Sequence, residues 1–256
     1  MPKVIELYEC LNSKFPTSYS SEWDNDGLMV CDDPNREVRR VLCTLDVTDD
    51  AVEHAIANDY DVIVSHHPLI FKGLKSVAAT DAKSRRVMKL IANKISVMSF
   101  HTRLDAAPGG LNDIFAKLLG LTDVTAITAE GETICRIGTL PIAQSPAEFA
   151  SFAKKALNAE RILYAESGEV VKRVAICGGD GKDFVKAVKA AGADSYITGQ
   201  LSYNLMLEAS EMGLNMFEAG HFHTEDFITS YLTLVILKEY TQVQTGYFNS
   251  NLIKAI

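Results

Sequence analysis

The segment Asp61-Val-Ile-Val-Ser-His-His-Pro-Leu-Ile-Phe71 joins an apolar run to a polar end. The run from Val62 to Val64 predicts a short buried strand. It leads directly into His66 and His67, and open α/β sheets bind ligands at the carboxyl ends of their strands. Pro68 favours an extended backbone at His67, and side chains of consecutive extended residues point in opposite directions. We therefore predict that each histidine serves one of two neighbouring ions. A pair of surface-loop histidines is the alternative.

The composition is that of an ordinary soluble globular protein. Of the 256 residues, 47% are hydrophobic and 23% are charged, and the chain is long enough for one large domain or two small ones. The formal net charge of -8 argues against sequence-independent binding to nucleic acid, which needs a basic surface. It leaves room for a small phosphorylated ligand held by a local site.

The sequence carries no targeting signal that we can identify, which predicts a cytoplasmic protein. The first ten residues include Glu6 and Glu9 and lack the apolar core of a signal peptide. The most apolar helical segment, Phe227 to Leu237, is too short and too interrupted to span a bilayer. The five cysteines are odd in number and form no Cys-x-x-Cys motif, which predicts free thiols in a reducing compartment.

Strand and helix patterns alternate along the chain, which predicts an α/β fold with largely parallel sheets. A Thr-, Ala- and Glu-rich segment at 121–133 is a candidate domain boundary. Ser145-Pro-Ala-Glu148 is a capping box with proline at the first helical position, a specific helix start. The predicted strands are Val41–Asp46, the run before His66, Ile95–Phe100, Ile134–Leu140, Arg161–Ala165, Arg173–Cys177, Ser195–Thr198 and Asn215–Ala219.

The two halves of the chain resemble each other. The strand that begins at Arg40 resembles the strand that begins at Arg173, and each is followed by a helix and then by a strand led by aspartate, Asp61 or Asp194. Each series closes with a His-x-x-x-acid signature. We interpret this as an internal duplication, with chance similarity of β-α-β units as the alternative. Two equivalent strand ends could then face a shared site.

Residues suited to metal binding concentrate at these strand ends. Five of the six histidines follow predicted strands, and only His54 lies inside a predicted helix. Imidazole and carboxylate groups together suit zinc, iron, manganese or nickel, and a carboxylate can bridge two ions. The alternative is a set of polar loop residues with ordinary hydrogen bonds. The candidate ligands are His66, His67, Asp105, His221 and Glu225.

Two further histidines and one glycine run each allow two interpretations. His101 could be a ligand or could orient one, and His223 could point away or contact a substrate. The run from Gly178 to Gly181 could hold a phosphate with its backbone amides. It lacks the Lys-Ser/Thr of a P-loop, so an ordinary turn is the preferred interpretation.

Four motifs follow one another along the chain: Trp23-Asp-Asn-Asp-Gly-Leu, Ser65-His-His-Pro-Leu-Ile-Phe, His101-Thr-Arg-Leu-Asp-Ala-Ala-Pro-Gly-Gly-Leu-Asn and Gly220-His-Phe-His-Thr-Glu. In this order they resemble the Nif-three-like family, whose members are commonly named GTP cyclohydrolase 1 type 2 homologues. The family usually has an apolar residue at the position of Asp26, and this departure leaves the metal set untouched.

The resemblance implies two intertwined α/β domains with repeated topology, a dinuclear metal centre and a ring-shaped homohexamer. On this basis we assign 1–125 plus 219–256 to a first domain that holds most metal ligands, and 126–218 to a second domain. Carried over by motif, the ligands are the two adjacent histidines, the acid of the third motif and His221, with Glu225 as the bridging carboxylate. We expect two divalent ions ~3.5–4 Å apart.

Two function classes follow. One is a metal-dependent hydrolase of a nucleotide or another small phosphorylated or heterocyclic compound, with GTP cyclohydrolase chemistry as the specific expectation. Its acid–base candidates are His101 and His223, because imidazole titrates near working pH. The other is a non-catalytic metal-handling or scaffold protein. Mixed histidine and carboxylate ligands favour the hydrolase.

Overall fold

A computed structural model describes residues 1–129 and 131–254. The chain divides into two compact units. Unit 1 comprises Met1–Leu104 and Asp226–Leu252, and unit 2 comprises Asp105–Glu225 with the described end of the chain from Ile253. The prediction of a mixed α/β fold is confirmed, since each unit is built around its own mixed sheet.

Helices and strands alternate as the sequence predicts. Two short 3-10 helices cover Thr17–Tyr19 and Lys182–Phe184. The α-helices are α1 (Val4–Lys14), α2 (Asp49–Ala57), α3 (Ala82–Ala92), α4 (Thr102–Ala106), α5 (Leu111–Leu118), α6 (Pro146–Ala156), α7 (Val185–Ala190), α8 (Tyr203–Glu211), α9 (His221–Glu225) and α10 (Phe227–Glu239). The strands are β1 (Gly27–Val30), β2 (Arg40–Thr44), β3 (Val62–Ser65), β4 (Ser96–Ser99), β5 (Thr122–Ala126), β6 (Arg136–Gln144), β7 (Leu163–Ala165), β8 (Val171–Cys177), β9 (Ser195–Thr198), β10 (Asn215–Glu218) and β11 (Gln244–Phe248).

The sheet of unit 1 has the order β1-β4-β3-β2-β11. Strands β4, β3, β2 and β11 are parallel, and β1 joins the edge antiparallel to β4. All four residues of β3 are buried, as expected for a central parallel strand that is covered on both faces. The core of the sheet includes Leu42, Ile63 and Val97, with Val52 of α2 and Leu90 of α3 packed in the same cluster.

The sheet of unit 2 has the order β5-β6-β8-β9-β10-β7. Strands β8, β9 and β10 are parallel, while β5, β6 and β7 pair antiparallel. The predicted boundary segment at 121–133 contains β5, whose five residues are all exposed at the edge of this sheet. Its exposed edge position explains why no apolar alternation marked it as a strand. The predicted capping box at Ser145 is confirmed and begins α6.

The predicted duplication is visible in the backbone pairing of both units. The carboxylate of Asp61 accepts hydrogen bonds from the backbone amides of Arg39 and Arg40. The carboxylate of Asp194 accepts the same pair of bonds from Lys172 and Arg173. Each aspartate therefore locks the start of one parallel strand to its neighbour. In each unit three parallel strands follow one another in chain order, β2-β3-β4 and β8-β9-β10, with an antiparallel strand outside the third.

The structure divides the chain at other places than 125/126 and 218/219. The division falls after Leu104 and after Glu225. The reason is packing, because α5 lies against β6 and β8 of unit 2, and the backbone amide of Gly179 donates to Thr224 Oγ1 of α9. Two of the five predicted ligands thus belong to unit 1 and three to unit 2.

The predictions about membrane and cysteines have clear outcomes. Within residues 1–129 and 131–254, every helix is too short or too polar for a membrane span. All five cysteines are free. Cys43 of β2 and Cys177 of β8 lie buried on corresponding strands of the two units, and burial raises the pKa of the Cys43 thiol to about 12.

Candidate functional site

Three histidines of unit 1 form one group. His66 and His67 follow β3, and His101 follows the neighbouring parallel strand β4, so all three lie at the same edge of the sheet. One ligand nitrogen from each lies within 4.8 Å of the other two. His66 is fully buried, whereas the side chains of His67 and His101 are 22% and 17% exposed. This group has the composition and spacing to hold a metal ion.

Oxygen atoms fix the orientation of the two adjacent histidines. His66 donates through Nδ1 to the carbonyl oxygen of Phe100 at 2.9 Å, so its Nδ1 carries the proton. His67 Nδ1 lies 2.8 Å from Oδ1 of Asp46. An imidazole that donates through Nδ1 keeps Nε2 as its basic nitrogen. Histidines that bind metals are usually held in this way by a carbonyl or a carboxylate.

His101 has the same arrangement, with Asp24 as its partner. His101 Nδ1 lies 2.9 Å from Oδ1 of Asp24, and Thr102 donates to the other carboxylate oxygen through its amide and its hydroxyl. Burial raises the pKa of Asp24, but the hydrogen bonds from His101 and Thr102 outweigh it and lower the pKa to about 2. Asp24 is therefore ionised at any working pH, and its negative charge orients His101.

Unit 2 holds a second group, made of Asp105, His221 and Glu225. His221 and Glu225 stand four residues apart in α9, with His221 Nε2 at 3.0 Å from Oε2 of Glu225. A carboxylate oxygen of Asp105 lies within 4.8 Å of one from Glu225. His221 Nδ1 lies 2.9 Å from Oε1 of Gln200. Asp105 and Glu225 are 8% and 4% exposed, and two buried carboxylates so close together favour a cation nearby.

The glycine run at 178–181 supports this second group and does not hold a phosphate through these amides. The amide of Gly178 donates to Asn112 Oδ1, that of Gly179 to Thr224 Oγ1 and that of Gly181 to a threonine hydroxyl of β9. The interpretation as a turn agrees with this use of the amides. A Cβ atom on Gly179 would lie 2.2 Å from Oε1 of Glu225, so the glycine leaves space for that carboxylate.

His223 has other contacts within unit 2. It bonds to the backbone of Asn158, and Glu160 acts on it electrostatically. Burial lowers its pKa, and those two groups raise it by less. Its ring centroid lies 5.6 Å from that of Phe222 at an angle of 88°. The geometry gives His223 no place in the group of Asp105, and its catalytic role stays a prediction.

The sequence analysis missed three residues that orient the histidines. These residues are Asp24, Asp46 and Gln200. Two of them lie in segments that the sequence analysis singled out, since Asp24 belongs to the tryptophan motif and Asp46 ends a predicted strand. Gln200 occupies the position in unit 2 that corresponds to His67 in unit 1. Ser65 ends β3 and pairs with the last residue of β2, and Thr198 in the same way ends β9 and pairs with the last residue of β8.

Comparisons with known proteins agree with this fold. A model of the Duf34/NIF3 (NGG1p interacting factor 3) family matches residues 2–253. A Clostridium perfringens protein named GTP cyclohydrolase 1 type 2 homolog is 31% identical over 229 residues, which cover 87% of either chain. A Schizosaccharomyces pombe protein named NIF3 homolog is 32% identical, over 86% of this chain and 84% of the relative. The crystal structure of a Staphylococcus aureus hypothetical protein aligns with a TM-score of 0.88, at 26% identity over 99% of both chains.

Proposed function

Since the chain belongs to the Duf34/NIF3 family, we propose that it is a metal-dependent hydrolase of a nucleotide or a small heterocyclic compound. Relatives at about 30% identity carry the name GTP cyclohydrolase 1 type 2 homolog. That name describes hydrolysis of a purine ring, and we adopt this reaction class for the chain. Groups of histidine and carboxylate side chains that could hold a metal ion support the proposal.

One observation carries the proposal furthest. His66, His67, His101 and His221 each have Nδ1 within 2.9 Å of an oxygen atom. The oxygen comes from a backbone carbonyl, an aspartate or an amide side chain, and each of these can accept the Nδ1 proton. Surface histidines have no reason to share one orientation, whereas metal ligands and acid–base groups both need a defined tautomer.

We propose that His66 and His67 of unit 1, with Asp105, His221 and Glu225 of unit 2, bind one pair of divalent ions. Glu225 would serve as the bridging carboxylate, in keeping with its burial and its proximity to both Asp105 and His221. The donor set suits zinc, iron, manganese or nickel. When bound, such ions polarise a substrate oxygen and lower the pKa of a coordinated water from that of bulk water to ~7.

Protons must move during the reaction, and His101 is the group best placed for this in unit 1. Purine ring hydrolysis adds water across the imidazole carbon–nitrogen bond, so one proton leaves the water and one reaches the ring nitrogen. The ionised Asp24 stabilises a positive charge on His101 when the imidazole accepts a proton at Nε2. His223 is the second candidate, because its lowered pKa keeps it neutral and able to act as a base near pH 7.

Elemental analysis of protein purified without added metal tests the metal-binding half of the proposal. We expect about two ions per chain, and we expect both His66→Gln and Glu225→Gln to lose them. His54→Gln is the matched control, because His54 packs in α2 against Tyr60 and Phe248 and belongs to neither group. Full metal content in Glu225→Gln would contradict the assignment.

A hydrolysis screen of the same preparation tests the catalytic half. We expect turnover of GTP or another nucleotide with zinc, manganese or iron, and we expect His101→Gln to lose turnover while it keeps its metal. If metal-loaded protein hydrolyses none of these compounds, the hydrolase proposal fails for them. A metal-handling or scaffold role would then be the better explanation of the same residues.

A further inference from the structure

Three rings of unit 1 meet at steep angles beside the histidine group. The ring centroids are 6.0 Å apart for Trp23 and Phe71, 6.2 Å for Trp23 and His101, and 6.1 Å for Phe71 and His101. The interplanar angles are 69°, 77° and 89°. We call Trp23, Phe71 and His101 the aromatic corner. His101 joins it to the other histidines, since its centroid lies 5.3 Å from that of His66 and 5.7 Å from that of His67.

Two rings of the aromatic corner, those of Trp23 and Phe71, are exposed to solvent, whereas the neighbouring His66 is not. Trp23 is 56% exposed and Phe71 is 40% exposed, whereas His66 is fully buried. Trp23 is the single tryptophan of the sequence, and more than half of its surface is exposed to solvent. Large apolar side chains that cluster on the surface next to polar groups are typical of ligand sites.

The exposed tryptophan stands on a turn that hydrogen bonds hold from two sides. Asp24 accepts from the amide and the hydroxyl of Thr102, which begins α4. Asn25 donates through its side-chain amide to the carbonyl of Ile70, in the segment that carries the phenylalanine. These hydrogen bonds hold the backbone beside both exposed rings, and binding to a site held in this way costs little ordering entropy.

We infer that the aromatic corner binds the planar heterocyclic ring of the substrate, such as a nucleobase, by stacking it on Trp23 with an edge towards Phe71. The inference rests on the proposed function, because it names the substrate feature that the site recognises. Aromatic rings attract one another both when stacked with an offset and when edge meets face, and a corner of steeply inclined rings offers both at once. A ring stacked there has His101 beside it, the group we assign to proton transfer.

Stacking also predicts the specificity of the subsite. Every base has a π-face, so aromatic side chains accept different bases with similar strength. Discrimination between bases would need hydrogen bonds to their edges. We therefore expect the aromatic corner to select heterocycles over sugars and phosphates, but to discriminate weakly among purines and pyrimidines.

Trp23 reports directly on its own site, because the sequence contains no other tryptophan. Metal-depleted and metal-loaded protein are titrated with guanosine, GMP and ribose 5-phosphate while tryptophan fluorescence is followed with inner-filter correction. We expect saturable quenching by guanosine and GMP and none by ribose 5-phosphate. Phe71→Leu keeps apolar bulk without a ring, and we expect it to weaken guanosine binding by about 2- to 13-fold, the range for a lost aromatic edge contact.

Two variants separate loss of stacking from general damage. Phe71→Tyr keeps a ring and should bind guanosine like the unchanged protein. Tyr164→Leu removes an equally exposed ring, 40% exposed, from β7 of unit 2 and should leave quenching unchanged. Far-ultraviolet circular dichroism and thermal unfolding confirm that each variant is folded. Unchanged guanosine affinity in Phe71→Leu, or an equal loss in Tyr164→Leu, would overturn the inference.

Failure of this inference and failure of the proposed function give different results. Saturable quenching by guanosine without hydrolysis of any nucleotide supports the aromatic corner and refutes the hydrolase. Hydrolysis of a substrate without quenching by any nucleoside refutes the aromatic corner and supports the hydrolase. If tryptophan fluorescence changes with protein concentration and not with ligand concentration, the rings mediate contact between copies of the chain. The inference would then be wrong.

Discussion

Replacing Gly179 with alanine tests whether the space beside Glu225 is needed for metal binding. The added Cβ atom would lie 2.2 Å from Oε1 of Glu225 and 3.2 Å from Nε2 of His221. Carbon and oxygen atoms that are not bonded keep roughly 3.4 Å apart, so the carboxylate must move by about 1 Å. Glu225 is only 4% exposed, so its carboxylate has little room in which to move.

The expected cost has two separate parts. Gly179 has φ +64, and an alanine in this left-handed region costs about 1–2 kcal/mol of stability. Displacement of groups that set the position of a ligand lowers metal affinity by about 10- to 100-fold, and a 1 Å misplacement at a catalytic site can cost about 100-fold in rate. We therefore expect a modest loss of stability and a much larger loss of metal affinity.

Gly192→Ala is the matched control for this measurement. Gly192 also lies in unit 2 and has φ +82, but among the described residues no atom beyond its chain neighbours lies within 4 Å of an added Cβ. Both variants should lower the midpoint of thermal unfolding by roughly 2–4 °C for each kcal/mol lost. Competition with a metal-sensitive dye then measures affinity. Gly179→Ala with the affinity of Gly192→Ala would refute the reasoning, since backbone strain alone would account for both.

Three further predictions concern stability, thiols and assembly. Asp26→Ala leaves the fully buried Arg103 without the carboxylate that binds it at 2.6 and 2.8 Å, so chemical denaturation should show a loss of about 3–5 kcal/mol. Glu239→Ala breaks an exposed pair with Lys14 and should leave the free energy of unfolding nearly unchanged. A thiol reagent should count five groups in denaturant, but only Cys10 and Cys31, the two that are not buried, should react quickly in the native protein. Light scattering at micromolar concentration should give the mass of a hexamer of 28.0 kDa chains, and a monomer mass would contradict the assembly that we propose.

The sequence predicted the order of the elements because their signals are local. The apolar run before His66, the aspartate at each strand start and the capping box at Ser145 all depend on residues close in sequence. The division into units depends instead on which sheet a helix covers. The periodic apolar face of α5 predicts a helix, but nothing in that face shows that it packs on β6 and β8 of unit 2. The exposed strand β5 gave no local signal either.

The candidate site shows the same limit. Histidines and acids after strand ends can be chosen from the sequence because their chemistry is evident from residue type. Their partners cannot, because Asp46 reaches His67 across 21 positions and Asp24 reaches His101 across 77. Aspartate is common in turns for reasons that have nothing to do with histidine. Only the fold shows that these two carboxylates orient imidazoles.

The two units place their candidate metal ligands on different elements of the repeated fold. In unit 1 the end of β3 supplies histidines directly, at His66 and His67. The position in unit 2 that corresponds to His66 is Gly199, and a Cβ there would lie 2.5 Å from the carbonyl oxygen of Gly179 and 2.8 Å from the backbone of His221. No histidine fits at that strand end, because the start of α9 occupies the space. Unit 2 therefore presents His221 and Glu225 from α9, and the glycines that follow β8 and β9 are what allow that helix to approach the sheet.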